Sequence, residues 1–284
     1  MGLIPLFRLA YVIAYRRIAA NWKLELAVAL GILLAVALVA GGVIYSKVLE
    51  EAALQRTLTD STEDEVNLDV RYFYNFDPEV HQRAESLMLQ RVTPRLEPYY
   101  EGQSQWVRSP TFYFGGHPHL ELAQEVRPRG KLQYIKGFEP HVKLVEGQMP
   151  ADALDPSDPL EVIVETKGLE LLGLSVGDQV DLIPAVADGE ADSLPVEIAG
   201  AIEILDPEDQ FWYGAGDGLS YSGQRWDWVP MFTPPSTFLR TLESKYPGIY
   251  TEETWFFYLD SDDLRTSDIG GLQKTLERAE VDVG

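Results

Sequence analysis

Hydrophobic and polar positions divide this chain into one long apolar run and a series of shorter, alternating ones. From Leu26 to Tyr45, LAVALGILLAVALVAGGVIY, 20 residues carry no charge. At about 1.5 Å rise per residue they span roughly 30 Å, one bilayer core. A secretory signal peptide is the rival reading, with Ala40-Gly41-Gly42 as its cleavage site. Signal sequences, however, have apolar runs of only about 7–15 residues. Length therefore favours a retained transmembrane helix over residues 24–48. Arg8, Arg16, Arg17 and Lys23 precede it, whereas Lys47 is soon followed by Glu50 and Glu51. The positive-inside rule then puts the N-terminus in the cytoplasm and residues from about 49 onward outside the plasma membrane.

Within the span, Ala27, Gly31 and Ala35 recur every four residues. That spacing lets a second helix pack closely in lipid, although alanine and glycine are also simply common in membrane helices. Residues 1–23 read as a cytoplasmic, basic, amphipathic segment. Leu6, Leu9, Ala10 and Ile13 fall at helical spacing with Arg16 and Arg17 beyond, as in a helix lying on the inner leaflet; an unstructured basic leader is the alternative.

Beyond the membrane, Ser46 to about Thr59 continues as a helical stalk. Asn67–Phe76 alternates and is rich in Val, Tyr and Phe, which predicts a strand. Asp77-Pro78 supplies an N-cap and a first-turn proline for a helix with Val80, Ala84, Leu87 and Met88 on one face, ended by Pro94 or Pro98. Further strands are predicted at Trp106–Phe114, Leu160–Glu165, Gln179–Ile183, Pro195–Leu205 and Thr254–Leu259. A short helix or turn begins at Leu169–Leu172, and a final helix covers about Asp268–Ala279. The order predicts an α+β fold: one N-terminal transmembrane helix, then a two-lobed external domain. Residues 49–135 plus 230–284 form its mixed α/β lobe, and 136–229 a β-rich lobe inserted into it.

Charge narrows the classes of partner. The formal net charge is −22, and residues 49–284 alone carry −26, because five basic residues and one acid lie at or before Lys47. So acidic an ectodomain repels phosphates, which argues against nucleic acid. The absence of cysteine excludes disulfide scaffolds, thiolate zinc sites and cysteine nucleophiles.

Candidate chemistry is sparse. No G-x-x-x-x-G-K-[ST] loop occurs, so any ATP hydrolysis belongs to a partner. His117 and His119 flank one proline and read as an exposed turn rather than a metal site. Asp206, Glu208, Asp209 and Asp217 match no calcium-loop spacing. No catalytic residue, cofactor or metal is assigned. The stretch holding Phe211, Trp212, Tyr213, Tyr221, Trp226 and Trp228 is glycine-rich. It reads either as a loop presenting Trp212, Tyr213, Trp226 and Trp228 to a partner or ligand, or as a loop folded back with its rings in a minor core.

The chain resembles the FtsX/MacB-like ABC transporter permeases. The likeness rests on the basic N-terminus, the single span and four elements: Gly147–Pro150, Glu161–Glu165, the Leu172–Asp178 turn and the Val196–Gly200 strand. These motifs are structural, and none is catalytic. The resemblance implies a non-catalytic membrane subunit that works with a separate cytoplasmic ABC ATPase, as a dimer with a second permease chain. Such permeases carry three further membrane helices after this domain, and residues 1–284 do not include them, so the chain is expected to be the N-terminal portion of a truncated or split permease. A stand-alone, single-pass receptor or adhesive ectodomain is the rival from another class. An anchored hydrolase is a third, with no nucleophile–base constellation visible for it.

Overall fold

The computed structural model of the chain describes residues 21–60, 67–120, 125–152, 160–185, 192–212, 218–260 and 264–283. The amphipathic segment expected before the membrane span lies almost wholly outside them. The chain divides into a helical unit ending at Thr57 and a second unit from Leu58 to Gly284.

The described part of the first unit is one helix, α1 (Trp22–Asp60), 39 residues long, whose last residues run past Thr57. It is long and apolar enough to cross a membrane, with a mean hydropathy of 2.7 in its most apolar stretch and none of that stretch buried. At about 1.5 Å per residue it reaches roughly 58 Å, nearly twice a bilayer core, so the apolar run accounts for only half of it. The helical stalk expected after Tyr45 is the remainder.

The second unit begins with β1 (Leu68–Asn75), followed by α2 (Pro78–Leu87). Asp77 caps α2: its backbone is extended, and its Oδ1 accepts from the N–H groups of Glu79 at 2.8 Å and Val80 at 3.2 Å. Asp77→Ala leaves those donors to water and is expected to cost about 1 kcal/mol, read as a lower urea midpoint.

The helical path then continues past Pro94. It loosens into a π turn (Met88–Val92), tightens again over Thr93–Leu96 and ends in a 3₁₀ turn at Tyr99. Proline has no N–H to give to the residue four before it, and the π turn shifts the register so that Pro94 falls in the first turn of the next segment. Met88, Val92 and Leu96 thereby stay on one buried face.

The strands are β2 (Tyr100–Gly115), β3 (Arg129–Lys136), β4 (Val142–Gly147), β5 (Leu160–Glu165), β6 (Gln179–Pro184), β7 (Leu194–Ile204), three two-residue strands β8 (Tyr221–Ser222), β9 (Asp227–Trp228) and β10 (Met231–Phe232), and β11 (Tyr250–Leu259). The helices among them are α3 (Thr166–Leu172), α4 (Pro235–Lys245) and α5 (Thr266–Val283). Six strands close a hydrogen-bonded ring, β2–β6–β7–β5–β10–β3 and back to β2. β2 closes it because its 16 residues are long enough to pair with β11 and then β6 along one edge and with β3 along the other. The ring draws β2, β3 and β10 from the first expected lobe and β5, β6 and β7 from the second.

Residues of one parity on these strands fill a single core: Phe112, Phe114, Leu132, Val162, Val164, Val180, Leu182, Val196, Ile198 and Met231. Phe238 and Leu242 of α4 join it, and the Phe238 ring stands edge-on to Tyr134 at 5.3 Å. The opposite parity, including Ile135, Ile163 and Phe232, makes a second apolar cluster, which Ile202 joins because the register slip in β7 between Ile198 and Gly200 reverses the alternation beyond it. A third lies where Met88, Val92 and Leu96 meet Trp255 and Phe257 of β11, with Leu272 and Leu276 of α5 packed against it.

Candidate functional site

The three glycine-containing motifs of the sequence resemblance meet at one junction. β4 runs antiparallel to β7 with Gly147 opposite Gly200. Gly147 has φ +74°, and a Cβ there would stand 2.2 Å from the Ala199 carbonyl oxygen and 2.8 Å from Cγ1 of Val176. A Cβ on Gly200 would stand 2.5 Å from the Gln148 carbonyl oxygen. This close approach lets Gln148 N–H donate to Ala199 O at 2.9 Å. The Leu172–Asp178 turn docks alongside, with Gly177 N–H donating to Ile198 O at 2.8 Å and Ile198 N–H returning to Asp178 O at 3.0 Å.

The junction aims the next residues, Met149 and Pro150, into the wall of a cavity of about 320 Å³. Ile135 of β3, Ile163 of β5 and Phe232 of β10 line it, together with Phe138 and Glu139, and the Thr233–Pro235 segment closes the far side. The rings of Phe138 and Phe232 stack at 5.2 Å and 17°. Two tethers hold the Met149 wall: Ala151 N–H donates to Glu161 Oε2 at 2.8 Å, and Asp152 Oδ1 accepts from Ser236 and Thr237 at the start of α4.

Two neighbouring carboxylates on β11 are buried on opposite faces. Glu253 has no exposure. Its Oε1 accepts from Gln105 Nε2 at 2.6 Å and Trp255 Nε1 at 3.0 Å, and its Oε2 lies 3.2 Å from the Tyr74 hydroxyl and 3.0 Å from His81 Nδ1. A proton on Nδ1 of His81 satisfies that last contact. Nε2 of the same ring is 3.4 Å from the Tyr134 hydroxyl. Burial by itself raises the Glu253 carboxyl, but the His81 interaction and the Gln105 and Trp255 N–H groups outweigh it, and the net shift is downward. Burial, then the Glu253 charge, pushes the Tyr74 and Tyr134 phenols up, so they remain protonated donors at neutral pH.

Glu252 reaches the same ionised state through cations. Burial opposes its charge, yet Lys131 at 2.9 Å, and Arg108 and Arg71 each at 3.7 Å, lower its carboxyl overall. Both carboxylates are held by fixed partners within the fold. Together they fasten β11 to β1, β2, β3 and α2.

The aromatic stretch is divided in its placement. Trp212 is buried, with Trp106 at 6.0 Å and Phe211 at 5.0 Å, both edge-on. Trp228 is buried beside Tyr221. Trp226 is half-buried with the Arg129 guanidinium 3.7 Å above its ring, and Tyr213 lies outside the described residues. The acids of this stretch cap a turn: Asp206 accepts from Glu208 N–H, and Asp209 accepts from Phe211 N–H and pairs with His141 Nδ1 at 2.9 Å, while Asp217 lies outside the described residues. The His117 and His119 rings sit 5.2 Å apart. Ala27, Gly31 and Ala35 are exposed on α1, with open space around Gly31.

Sequence reasoning quoted Met149 and Pro150 only as parts of a fold motif, and it named none of Phe138, Glu139, Ile163 and Phe232 as a site residue. No local pattern joins those four, which arrive from separate strands and a turn.

No family model and no curated protein matches the sequence. Solved structures do. One is a domain of a protein assigned as a permease from Porphyromonas gingivalis, at 14% identity and TM-score 0.31, covering 66% of this chain and 70% of that one. Another is the extracellular domain of the noncanonic ABC-type transporter YknZ from Gram-positive bacteria, at 15% identity and TM-score 0.32, covering 73% and 88%. Both neighbours are domains of transport proteins.

Proposed function

We propose that this chain is a non-catalytic membrane subunit of an ABC-type transport or mechanotransmission complex. Its external domain engages a substrate or partner, and the drive comes from a separate cytoplasmic ATPase. The observation that carries the reading is the junction at Gly147 and Gly200. The motifs that resemble the permease family, far apart in sequence, pack on one another there, and one of them carries Met149 and Pro150 into the wall of a cavity. The exposed apolar surface of α1 supports the membrane assignment, and the basic residues before it support a cytoplasmic N-terminus. Further permease helices or a second permease chain would cover the Ala27, Gly31 and Ala35 stripe, with lipid around the rest. Of the candidate contact residues among those described, Trp212 and Trp228 are buried and Trp226 is half-open, so Trp226 is the one best placed for a partner contact.

Two measurements on the chromosomally tagged protein in its own membrane test this. Because the chain has no cysteine, Ser193→Cys is a unique label site in the external domain. It is expected to react with an impermeant maleimide on intact cells, while Gly2→Cys reacts only after lysis. Affinity purification is expected to recover an ATP-binding subunit in stoichiometric amount. External labelling without any ATPase would replace this reading with the single-pass receptor or adhesive ectodomain, and reversed labelling would overturn the orientation.

A further inference from the structure

We infer that the cavity behind Met149 binds a compact apolar group carrying a positive charge, such as an aryl- or alkylammonium. At about 320 Å³ it has the volume of a small-molecule site. Its floor is fixed, because Ile135 and Ile163 are buried side chains of paired strands. Its Met149 wall is tied down on both sides, at Glu161 and at the start of α4. Phe211 and Trp212 cover another part of the same apolar cluster, and the cavity is the part left open.

The polar inventory selects the charge. The Thr233 hydroxyl already donates to Glu161 O at 3.1 Å. Glu139 brings an exposed carboxylate to the rim. Tyr134 also lines the cavity, with its hydroxyl 3.4 Å from His81 Nε2. Among the described residues no lysine, arginine or histidine lines it, and the tethers add Glu161 and Asp152 close by. An ammonium placed there gains the Glu139 attraction and the negative faces of the stacked Phe138 and Phe232 rings. A carboxylate of the same shape meets repulsion, which excludes fatty-acid-like anions.

The test uses the full chain in nanodiscs of zwitterionic lipid, with ¹³C-methyl methionine. The sequence has four methionines, of which Met149 lines the cavity while Met88 and Met231 are buried in separate cores. The probes are 3-phenylpropylammonium, 3-phenylpropanol and 3-phenylpropanoate. The expected result is a saturable shift of the Met149 methyl, with Met88 and Met231 unmoved. The ammonium should bind about fivefold tighter than the alcohol, with the carboxylate weakest. Glu139→Gln, at an exposed position, should bring ammonium and alcohol within about twofold of each other.

An alcohol or carboxylate binding as tightly as the ammonium would overturn the proposal. So would an unchanged preference in Glu139→Gln, or no saturable Met149 shift while Met88 and Met231 keep their native positions. Binding is read with no ATPase or nucleotide present, so this result and the outcome of the co-purification are independent.

Discussion

Glu253→Ala is expected to lose about 3–5 kcal/mol of the external domain's stability. A domain of this kind holds roughly 5–15 kcal/mol in total, so the variant sits near its unfolding threshold. The substitution removes a fully buried carboxylate and strands the Gln105, Trp255, Tyr74 and His81 groups that point at it. Urea unfolding followed by tryptophan fluorescence reads the loss.

Glu253→Gln separates the role of charge from that of shape. The carboxamide oxygen keeps the Gln105 and Trp255 contacts, and its N–H₂ faces the Tyr74 oxygen and a deprotonated His81 Nδ1, so a loss below about 2 kcal/mol is expected. The two variants also differ in acid. Because the Glu253 carboxyl is lowered in the fold, its ionisation stabilises the fold fully above the unfolded-state value near about 4.3. That contribution disappears as pH falls through the lower folded value. The wild type should therefore lose stability below about pH 4.5 more steeply than Glu253→Gln. A parallel acid profile for the two would show that His81 and its neighbours do not hold the carboxylate ionised. Glu252, lowered by Lys131, Arg108 and Arg71, gives the same sign and accounts for the acid sensitivity that remains in the variant.

The second large effect is expected at Gly147. Alanine there adopts a left-handed backbone at about 1–2 kcal/mol and drives a Cβ into the Ala199 carbonyl, 2.2 Å away, at about 1–3 kcal/mol more. Gly177 is the control: it also has positive φ, at +91°, but a Cβ would meet nothing within 4 Å. Gly177→Ala should show the backbone cost alone. If the two variants unfold at the same urea concentration, the close approach of β4 to β7 contributes nothing. Relief of the clash also moves Gln148 and the Met149 wall, so the Met149 methyl resonance should shift in Gly147→Ala and stay in place in Gly177→Ala.

Features that depend on near neighbours were legible in the sequence. The apolar run at Leu26–Tyr45 predicts α1 because one helix needs only its own 3.6-residue repeat and a length. Asp77-Pro78 predicts the start of α2 because the cap bonds reach two and three residues ahead. LEVIVE reads as β5 over the same six residues that the structure assigns. β3, β4 and α4 were not read. KLQYIK and VKLVEG carry lysines and a glutamate within their alternation, and Pro234-Pro235 looks like a loop although Pro235 starts a helix.

Partners distant in the chain decided the rest. Glu252 and Glu253 look like a polar flank to TWFFYL, yet both lie inside β11, because Lys131, Arg108 and Arg71 meet one while His81, Tyr74, Gln105 and Trp255 meet the other. Trp212 and Trp228 fit either a presented loop or a folded-back one by sequence pattern, until Trp106, Phe211 and Tyr221 are placed beside them. The cavity itself gathers Ile135, Met149, Ile163 and Phe232 from four separate segments. The apolar span, the caps and most of the strands follow from backbone periodicity and local hydrogen bonding, and so can be read residue by residue along the chain. Tertiary structure alone decided the closed ring, the burial of charge and the cavity, because their energies come from contacts between residues that no local pattern connects.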